Sequence, residues 1–376
     1  NQAYGHDPKL RARAVGLWTA AGAISIAAGP VVGGLLIAAF GWRSIFLVNL
    51  PICAAGWLAT WFWVPRPGAG KDRGRNCAGA GARDSAAGHA QSASSPARGP
   101  RGLDFPGQCL AVVALTAFVA AVIEWRPLGL ESPFVAGGFV LALLAGGAFI
   151  AVESRVAAPM LPLSLFGKRT FSAAVLFGIC VNLTYYGMVF VLSLYLQRVR
   201  GYTPLQAGLA FLPLTGGFLA SNVASGWVIG RFGVRVPMIA GAITAGLGYG
   251  ALYWVDAGTP LIGMLLPFLL IPSGMGLAVP AMTTAVLASV DAHRAGTASA
   301  VLNTARQAGG AVGVAAFGAL AGGAASAQIV SGMQGSAAVS VALLVLGGVL
   351  GCLVHPEPHT PASSRREPKA KGISDA

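Results

Sequence analysis

Long runs of residues without a single charge dominate this sequence. Eight intervals lack Asp, Glu, Lys and Arg: residues 14–42, 44–65, 105–123, 132–152, 170–197, 201–230, 236–255 and 257–290. A helix needs about 20 apolar residues to cross about 30 Å of hydrocarbon, and each interval reaches roughly that length. The pattern therefore predicts eight membrane-spanning helices.

The last part of the chain adds two more spans. Residues 295–356 are interrupted only by Arg306, and the small, polar stretch 322–328 divides them into two halves. Charged residues make up only 10% of the chain, against about a quarter in soluble domains. Helices are favoured over strands because irregular backbone lacks partners in lipid and strand-like alternation is missing. The predicted fold class is all-α, a polytopic membrane protein with about ten transmembrane helices.

The distribution of basic residues sets the predicted orientation. If the first helix leaves the cytoplasm, cytoplasmic segments hold 20 Lys and Arg residues, and external loops hold Arg43, Arg126, Arg198 and Arg200. This asymmetry follows the positive-inside rule. The sequence thus predicts a multi-pass protein of the cell (plasma) membrane with both ends of this chain in the cytoplasm.

The net charge of +13 could suggest a nucleic-acid partner. The basic residues lie in short clusters between apolar runs and form no helical stripe with interleaved aromatic residues, so we expect no nucleic-acid partner. The five cysteines include no Cys-x-x-Cys pair, and no Gly-x-x-x-x-Gly-Lys-Ser/Thr loop for a nucleotide is present. We therefore expect no cofactor, no metal site and no catalytic residue.

The first span carries the sequence Gly-Pro-Val-Val-Gly-Gly, in which Gly29, Pro30, Gly33 and Gly34 are the distinctive residues. Proline breaks the helical hydrogen-bond ladder, and glycine allows a neighbouring helix to approach at backbone distance. The pattern fits a hinge or seal at a moving interface. A static kink with tight packing is the alternative.

The segments around this motif resemble a known family. Residues 7–14 and 40–51 resemble the fifth and sixth helices of fourteen-helix drug:proton antiporters, a multidrug-efflux branch of the major facilitator superfamily. Further similar segments are residues 103–107, 159–166, 208–213 and 302–310. The resemblance implies that Gly29, Pro30, Gly33 and Gly34 are the antiporter motif, which is associated with export. It also implies a major facilitator fold from which about four amino-terminal helices are missing, in agreement with a chain that opens on Asn1 without methionine or leader.

The same family has a cytoplasmic loop motif. Its degenerate second-half copy is similar to residues 226–235, which place the motif on Gly226, Gly230, Arg231, Gly233 and Arg235. Gly230 stands where the family has an acid, which puts a charge-relay role in doubt. The alternative is that Arg231 and Arg235 are plain cytoplasmic anchors.

Polar residues at membrane depth are costly and mark candidate substrate positions. In the fifth span, Asn182, Tyr186, Ser193 and Gln197 fall within about 60° on one helix face, and Tyr185 flanks them. Such a face suits a vestibule for amphipathic or aromatic molecules. Interhelical hydrogen bonding is the alternative. Asn222, in the sixth span, is a further cavity candidate.

In the ninth span, Asn303, Arg306 and Gln307 are cavity candidates near a common face. No Asp or Glu lies deep in any span, so Arg306 either snorkels to the cytoplasmic surface or lines the cavity. Proton coupling needs a titrating group in the transport path. We expect that acid in the missing helices, with Glu124 at the external end of the third span as the weaker candidate.

The predicted organisation has six parts. They are residues 1–64, the end of the amino-terminal bundle; 65–104, a disordered cytoplasmic linker rich in Gly, Ala, Ser and Arg; 105–152, an inserted helix pair; 153–170, a cytoplasmic loop; 171–354, a carboxy-terminal six-helix bundle; and 355–376, a disordered cytoplasmic tail.

The favoured function is proton-coupled efflux of small amphipathic compounds, such as drugs, antibiotics or toxic metabolites, by alternating access. The partners implied are a small-molecule substrate, protons and the lipid bilayer, and the sequence does not indicate an oligomeric state. Three alternatives stay open: an uptake symporter of the same fold, a membrane enzyme, and a truncated chain that is inactive on its own. The enzyme alternative lacks a nucleophile, base or metal cluster near the membrane interface.

Overall fold

The computed structural model describes residues 28–63, 104–156, 159, 161–291, 294–323 and 325–354, and within them the regular elements are helices. These are α1 (Ala28–Phe40), α2 (Ser44–Leu47), α3 (Asn49–Trp63), α4 (Phe105–Leu128), α5 (Pro133–Glu153), α6 (Arg169–Leu194), α7 (Pro204–Ala210), α8 (Leu212–Phe232), α9 (Arg235–Leu252), α10 (Leu265–Ala288), α11 (Ala295–Ala321) and α12 (Ser326–Leu353). A π turn, Tyr195–Val199, follows α6, and 3₁₀ turns cover Leu163–Gly167 and Leu261–Met264. The predicted disordered linker and tail, apart from Asp104, and the start of the first span lie outside the described residues.

Seven helical segments of this part of the chain are long and apolar enough to cross a membrane. They are Ser44–Phe62, Phe105–Trp125, Pro133–Glu153, Arg169–Val199, Pro204–Phe232, Leu261–Ala288 and Ser326–Leu353. Helix α1 is apolar but shorter in its described part, and α9 and α11 are helical where two further spans were predicted. The all-helical, multi-pass fold is therefore confirmed, while the count of ten spans stays a prediction.

Two helix boundaries differ from those set by charges alone. Helix α4 continues past Glu124 to Leu128, because a carboxylate at the membrane surface ends the apolar run without ending the helix. Gly129, at φ 76°, ends it. The sixth predicted span is two helices, α7 and α8, divided at Phe211, since Pro213 has no N–H to continue the ladder.

The carboxy-terminal helices α6 to α12 cross one another at glycines. A methyl group on Gly187 of α6 would lie 2.6 Å from the Gly313 carbonyl oxygen of α11, and one on Gly309 would lie 2.9 Å from the Ile179 carbonyl oxygen. Apolar surface gives little drive for association between helices in lipid, so close backbone approach at small residues stabilises such crossings. The glycine-rich composition thereby becomes a tightly packed bundle.

The inserted pair, α4 and α5, packs together, and α4 also lies against α11. Helices α2 and α3 contact each other, and nearly all their side chains are exposed. Helix α1 differs, because it lies against α7 and the bundle.

Candidate functional site

The glycine–proline helix α1 packs on α7 at backbone distance. A methyl group on Gly34 would lie 2.8 Å from the Pro204 carbonyl oxygen and 2.9 Å from the Cα atom of Leu205. From the other side, a methyl group on Gly208 would collide with the carbonyl oxygen of Pro30. Neither position has room for a side chain larger than glycine's hydrogen. The two helices therefore form a glycine seam, defined here by Pro30, Gly34, Pro204, Leu205 and Gly208.

This glycine seam borders a cavity of about 500 Å³. We call it the central cavity. Its wall is formed by α1 on one side and by α6, α7, α8, α10 and α11 on the other. Most of its lining is apolar, including Ile37, Val181, Leu214, Met275 and Val279. Such a volume suits a drug-sized molecule.

All five polar or aromatic candidates of the fifth span line the central cavity: Asn182, Tyr185, Tyr186, Ser193 and Gln197. They share it because α6 stays helical through Leu194 and then continues as the π turn that carries Gln197. The Gln197 side chain donates a 2.8 Å hydrogen bond to the Ser193 hydroxyl. The Asn182 amide is only 5% exposed, and it makes no hydrogen bond to any residue that the structure describes. Its donors and acceptor are thus available to a bound molecule.

An aromatic wall continues from α6 onto α8. The rings of Tyr185 and Tyr186 meet edge to face with centroids 5.5 Å apart, and the Tyr185 ring lies 6.2 Å from that of Phe218. Aromatic faces and edges offer stacking surface with weak directional preference. The cavity can therefore hold aromatic or amphipathic molecules without fixed charge pairing.

Arg306 reaches the central cavity from α11, as in the second of the two placements that the sequence left open. Its Nε atom is buried and makes no hydrogen bond within the described residues. Gly178 of α6 makes room for it, since a methyl group there would lie 3.2 Å from Cγ of Arg306. A guanidinium nitrogen that lacks a hydrogen bond within the described residues is costly at this depth, and such positions are candidates for a functional role.

Other sequence candidates lie elsewhere. Asn303 and Gln307 are exposed, Asn222 is half-buried beside the close crossing of α8 and α10, and none of the three lines the central cavity. Gly29 and Glu124 are also outside it, and Gly33 lines it together with Gly34 and Pro30.

Of the loop-motif residues, Gly226, Gly230 and Arg231 lie in the second half of α8, Gly233 lies in the turn after it, and Arg235 begins α9. Gly233 has φ 74°, a backbone conformation that favours glycine, and it ends α8. The Arg231 guanidinium lies 5.8 Å from the rings of both Trp227 and Phe232, and Arg235 is exposed. In this geometry Arg231 stacks on aromatic rings at the helix end.

Several residues of the site gave no signal in the sequence. Gly178 and Phe218 are ordinary members of apolar runs, and their roles depend on which helix lies opposite. Among the described residues no group of three or more His, Cys, Asp or Glu could hold a metal ion. What the site offers is a shaped, mostly apolar space with amides, phenols and one arginine.

Comparison with known proteins places the chain in a family. Residues 6–314 match the Major Facilitator Superfamily. The chain is 34% identical over 307 residues to the methylenomycin A resistance protein of Streptomyces coelicolor, covering 82% of this chain and 58% of that protein. It is 33% identical over 307 residues to the multidrug resistance protein Stp of Mycobacterium tuberculosis, covering 82% and 52%.

A third relative is the drug efflux pump JefA of Mycobacterium tuberculosis, 29% identical over 314 residues, covering 82% of this chain and 55% of that protein. The chain thus spans a little over half the length of the curated relatives it matches. Because the family match extends over most of the sequence, the chain belongs to the Major Facilitator Superfamily.

Proposed function

We propose that the full-length protein is a proton-coupled exporter of small amphipathic compounds and belongs to the fourteen-helix drug:proton antiporter branch of its superfamily. Relatives named for drug resistance or drug efflux, over four-fifths of this chain, support export. The basic residues of the cytoplasmic segments support a plasma-membrane protein with both ends of this chain inside.

The observation that carries the proposal is the glycine seam at the edge of the central cavity. Alternating access moves one bundle against the other around a central site. Backbone contact without interlocking side chains, as between Gly34 and Leu205, allows two helices to seal and to slide. The Gly29, Pro30, Gly33 and Gly34 motif then acts as the hinge and seal of the amino-terminal bundle.

The lining of the cavity supports the substrate class. Its Tyr185, Tyr186 and Phe218 rings offer stacking, and the Asn182 amide offers hydrogen bonds. Compounds with a flat apolar body and a few polar groups match this surface. Since the cavity's described wall holds no carboxylate, the proton-coupling acid belongs to the rest of the protein, with Glu124 of α4 the weaker candidate.

The test is transport by the full-length gene product in a drug-sensitive bacterial host, measured as efflux of ethidium and resistance to methylenomycin A. Export that stops on addition of a protonophore supports the proposal. Accumulation of the compounds would instead indicate an uptake symporter, and export that survives the protonophore would overturn proton coupling.

A matched pair of variants assigns that transport to the central cavity. Asn182→Leu keeps the side-chain shape but removes the buried amide, which is expected to raise the apparent KM about ten-fold, the effect of losing one buried hydrogen bond. Asn49→Leu is the control, because Asn49 lies outside the cavity and its amide donates only to the Ile45 carbonyl. Equal effects of the two changes would remove the cavity assignment.

A further inference from the structure

A second concave surface lies on an adjacent side of α6, between α4 of the inserted pair and the bundle. Its volume is about 670 Å³, and α4, α6 and α11 form its walls. Val119, Ile123, Phe190, Val314 and Gly318 are among its apolar lining residues. We call it the outer groove. Nothing in the transport cycle proposed above uses it.

The outer groove occupies one half of the membrane. Helices α4, α6 and α11 run in the same direction, and the groove is lined by the later residues of each. On α11 the lining runs from Ala311 to Gly322, about 16 Å at 1.5 Å per residue. One leaflet contributes about 15 Å of hydrocarbon. In the orientation proposed above, this is the external leaflet.

Among the residues whose side chains the structure describes, Arg198 is the charged residue that lines the groove, and it lies at the membrane-surface end. Arg198, in the π turn after α6, is exposed and makes no hydrogen bond or ion pair within the described residues. Its neighbour Arg200 differs, because its guanidinium donates a 3.0 Å hydrogen bond to the Ala257 carbonyl oxygen. Arg198 is thus a free cation at the end of an apolar channel of one-leaflet length.

We propose that the outer groove binds one acyl chain of an anionic phospholipid, whose phosphate pairs with Arg198. The apolar walls match the chain, the length matches one leaflet, and the guanidinium is a strong partner for phosphate oxygens. Such a lipid fills the space between α4 and α6 and joins the inserted pair to the bundle. The assignment to the external leaflet rests on the proposed orientation, whereas the lipid site itself does not depend on transport.

The experiment is native mass spectrometry of the full-length protein, delipidated in detergent and titrated with phosphatidylglycerol or phosphatidylcholine of identical acyl chains. Wild-type protein is expected to bind phosphatidylglycerol more tightly. Arg198→Gln should reduce that preference about five-fold, the effect of one cation near a charged surface, and weaken phosphatidylcholine binding less, because choline offsets the charge of that lipid's phosphate. Val314→Trp, which fills the groove, should remove the tightest site for both lipids.

Two matched controls keep the result interpretable. Arg43→Gln removes another exposed external arginine, and Val345→Trp enlarges a side chain that is 64% exposed on α12, away from the groove. Both should bind lipid like wild type, and melting temperatures verify that all four variants are folded. A retained phosphatidylglycerol preference in Arg198→Gln, or a retained site in Val314→Trp, would overturn the proposal. If the wild-type protein formed dimers and Val314→Trp dissociated them, the groove would be assigned to contact with a second copy of the protein and not to a lipid.

Discussion

The two faces of α6 border two spaces of similar size and opposite character. Asn182, Tyr186 and Gln197 face the central cavity, whereas Phe190 and Arg198 face the outer groove. In the cavity the polar groups lie along the wall and the arginine is half-buried. In the groove the wall is apolar and the arginine lies at the end. The position of the charge is therefore what separates the proposed site for an amphipathic substrate from the proposed site for a lipid.

Replacing each arginine with methionine is expected to give the largest difference between the two spaces, measured as the change in the dissociation constant of the transported compound. Arg306→Met removes a half-buried cation from the cavity wall and is expected to weaken binding of the transported compound about ten- to a hundred-fold, the range for a lost charged hydrogen bond. Arg198→Met is expected to change the same dissociation constant less than two-fold. Binding is measured by tryptophan-fluorescence titration in detergent, where no lipid fills the groove.

The comparison fails if the two exchanges have equal effects, or if Arg198→Met is the more damaging. Arg306→Lys separates charge from shape, because lysine keeps the charge but lacks the planar set of donors. Partial recovery by lysine would indicate that the charge matters more than the guanidinium geometry.

The glycine seam supplies the next effect in size. Gly34→Val forces a side chain into the space occupied by Pro204 and Leu205 of α7, and overpacking of this kind costs about 1–3 kcal/mol. Gly33→Val is the matched control for packing, since no atom lies within 4 Å of a methyl group at that position. Efflux rate and melting temperature are expected to fall in Gly34→Val, and the melting temperature to stay near wild type in Gly33→Val.

A fall in melting temperature with unchanged efflux would make the seam a packing feature alone. That result would favour the static-kink alternative for Pro30 and its neighbouring glycines. A loss of efflux with an unchanged melting temperature would favour a seam that must slide during transport.

Periodicity predicted the polar face of α6 because a helix repeats by 100° per residue, so residues 182, 186, 193 and 197 must lie together. It could not tell which helix lies opposite. Asn303 and Gln307 lie near Arg306 in angle, yet only Arg306 reaches the cavity, because the other two side chains lie on an exposed part of α11, away from its crossing with α6 at Gly309 and Gly313. The contact of α1 with α7 likewise could not be predicted, because it joins the backbones of two segments that are far apart in the sequence.

The all-helical, multi-pass fold could be predicted because lipid restricts both the length and the composition of a span. Boundaries were predicted less well, since a charge marks the membrane surface and not the end of a helix, as Glu124 in α4 illustrates. Predicting the break at Phe211 required attention to Pro213, which has no N–H for the helix. A span that is defined only by the absence of charge ignores such a proline.

The smallest expected effect is a change in melting temperature that depends on the loop around Asp256. This loop holds the end of α6 that lies between the central cavity and the outer groove. The Tyr195 hydroxyl donates a 2.6 Å hydrogen bond to the Asp256 carbonyl oxygen, and Arg200 holds the next residue. The Asp256 carboxylate accepts hydrogen bonds from the Thr259 hydroxyl and the Gly258 N–H, at 2.8 and 2.9 Å. The Thr259 hydrogen bond is the largest cause of a pKa for Asp256 below its usual value.

A carboxylate with a lowered folded-state pKa stabilises the fold at neutral pH, and this contribution is lost as the pH falls through that pKa. Asp256→Asn keeps a side-chain acceptor for Gly258 but has no charge to titrate. We therefore expect wild type to melt slightly above Asp256→Asn at pH 7 and the two to converge below pH 3.8, the unshifted value. If the difference in melting temperature between wild type and Asp256→Asn stayed constant across the pH titration, the loop would be held by Tyr195 and Arg200 alone. The Asp256 charge would then have no part in fixing the end of α6.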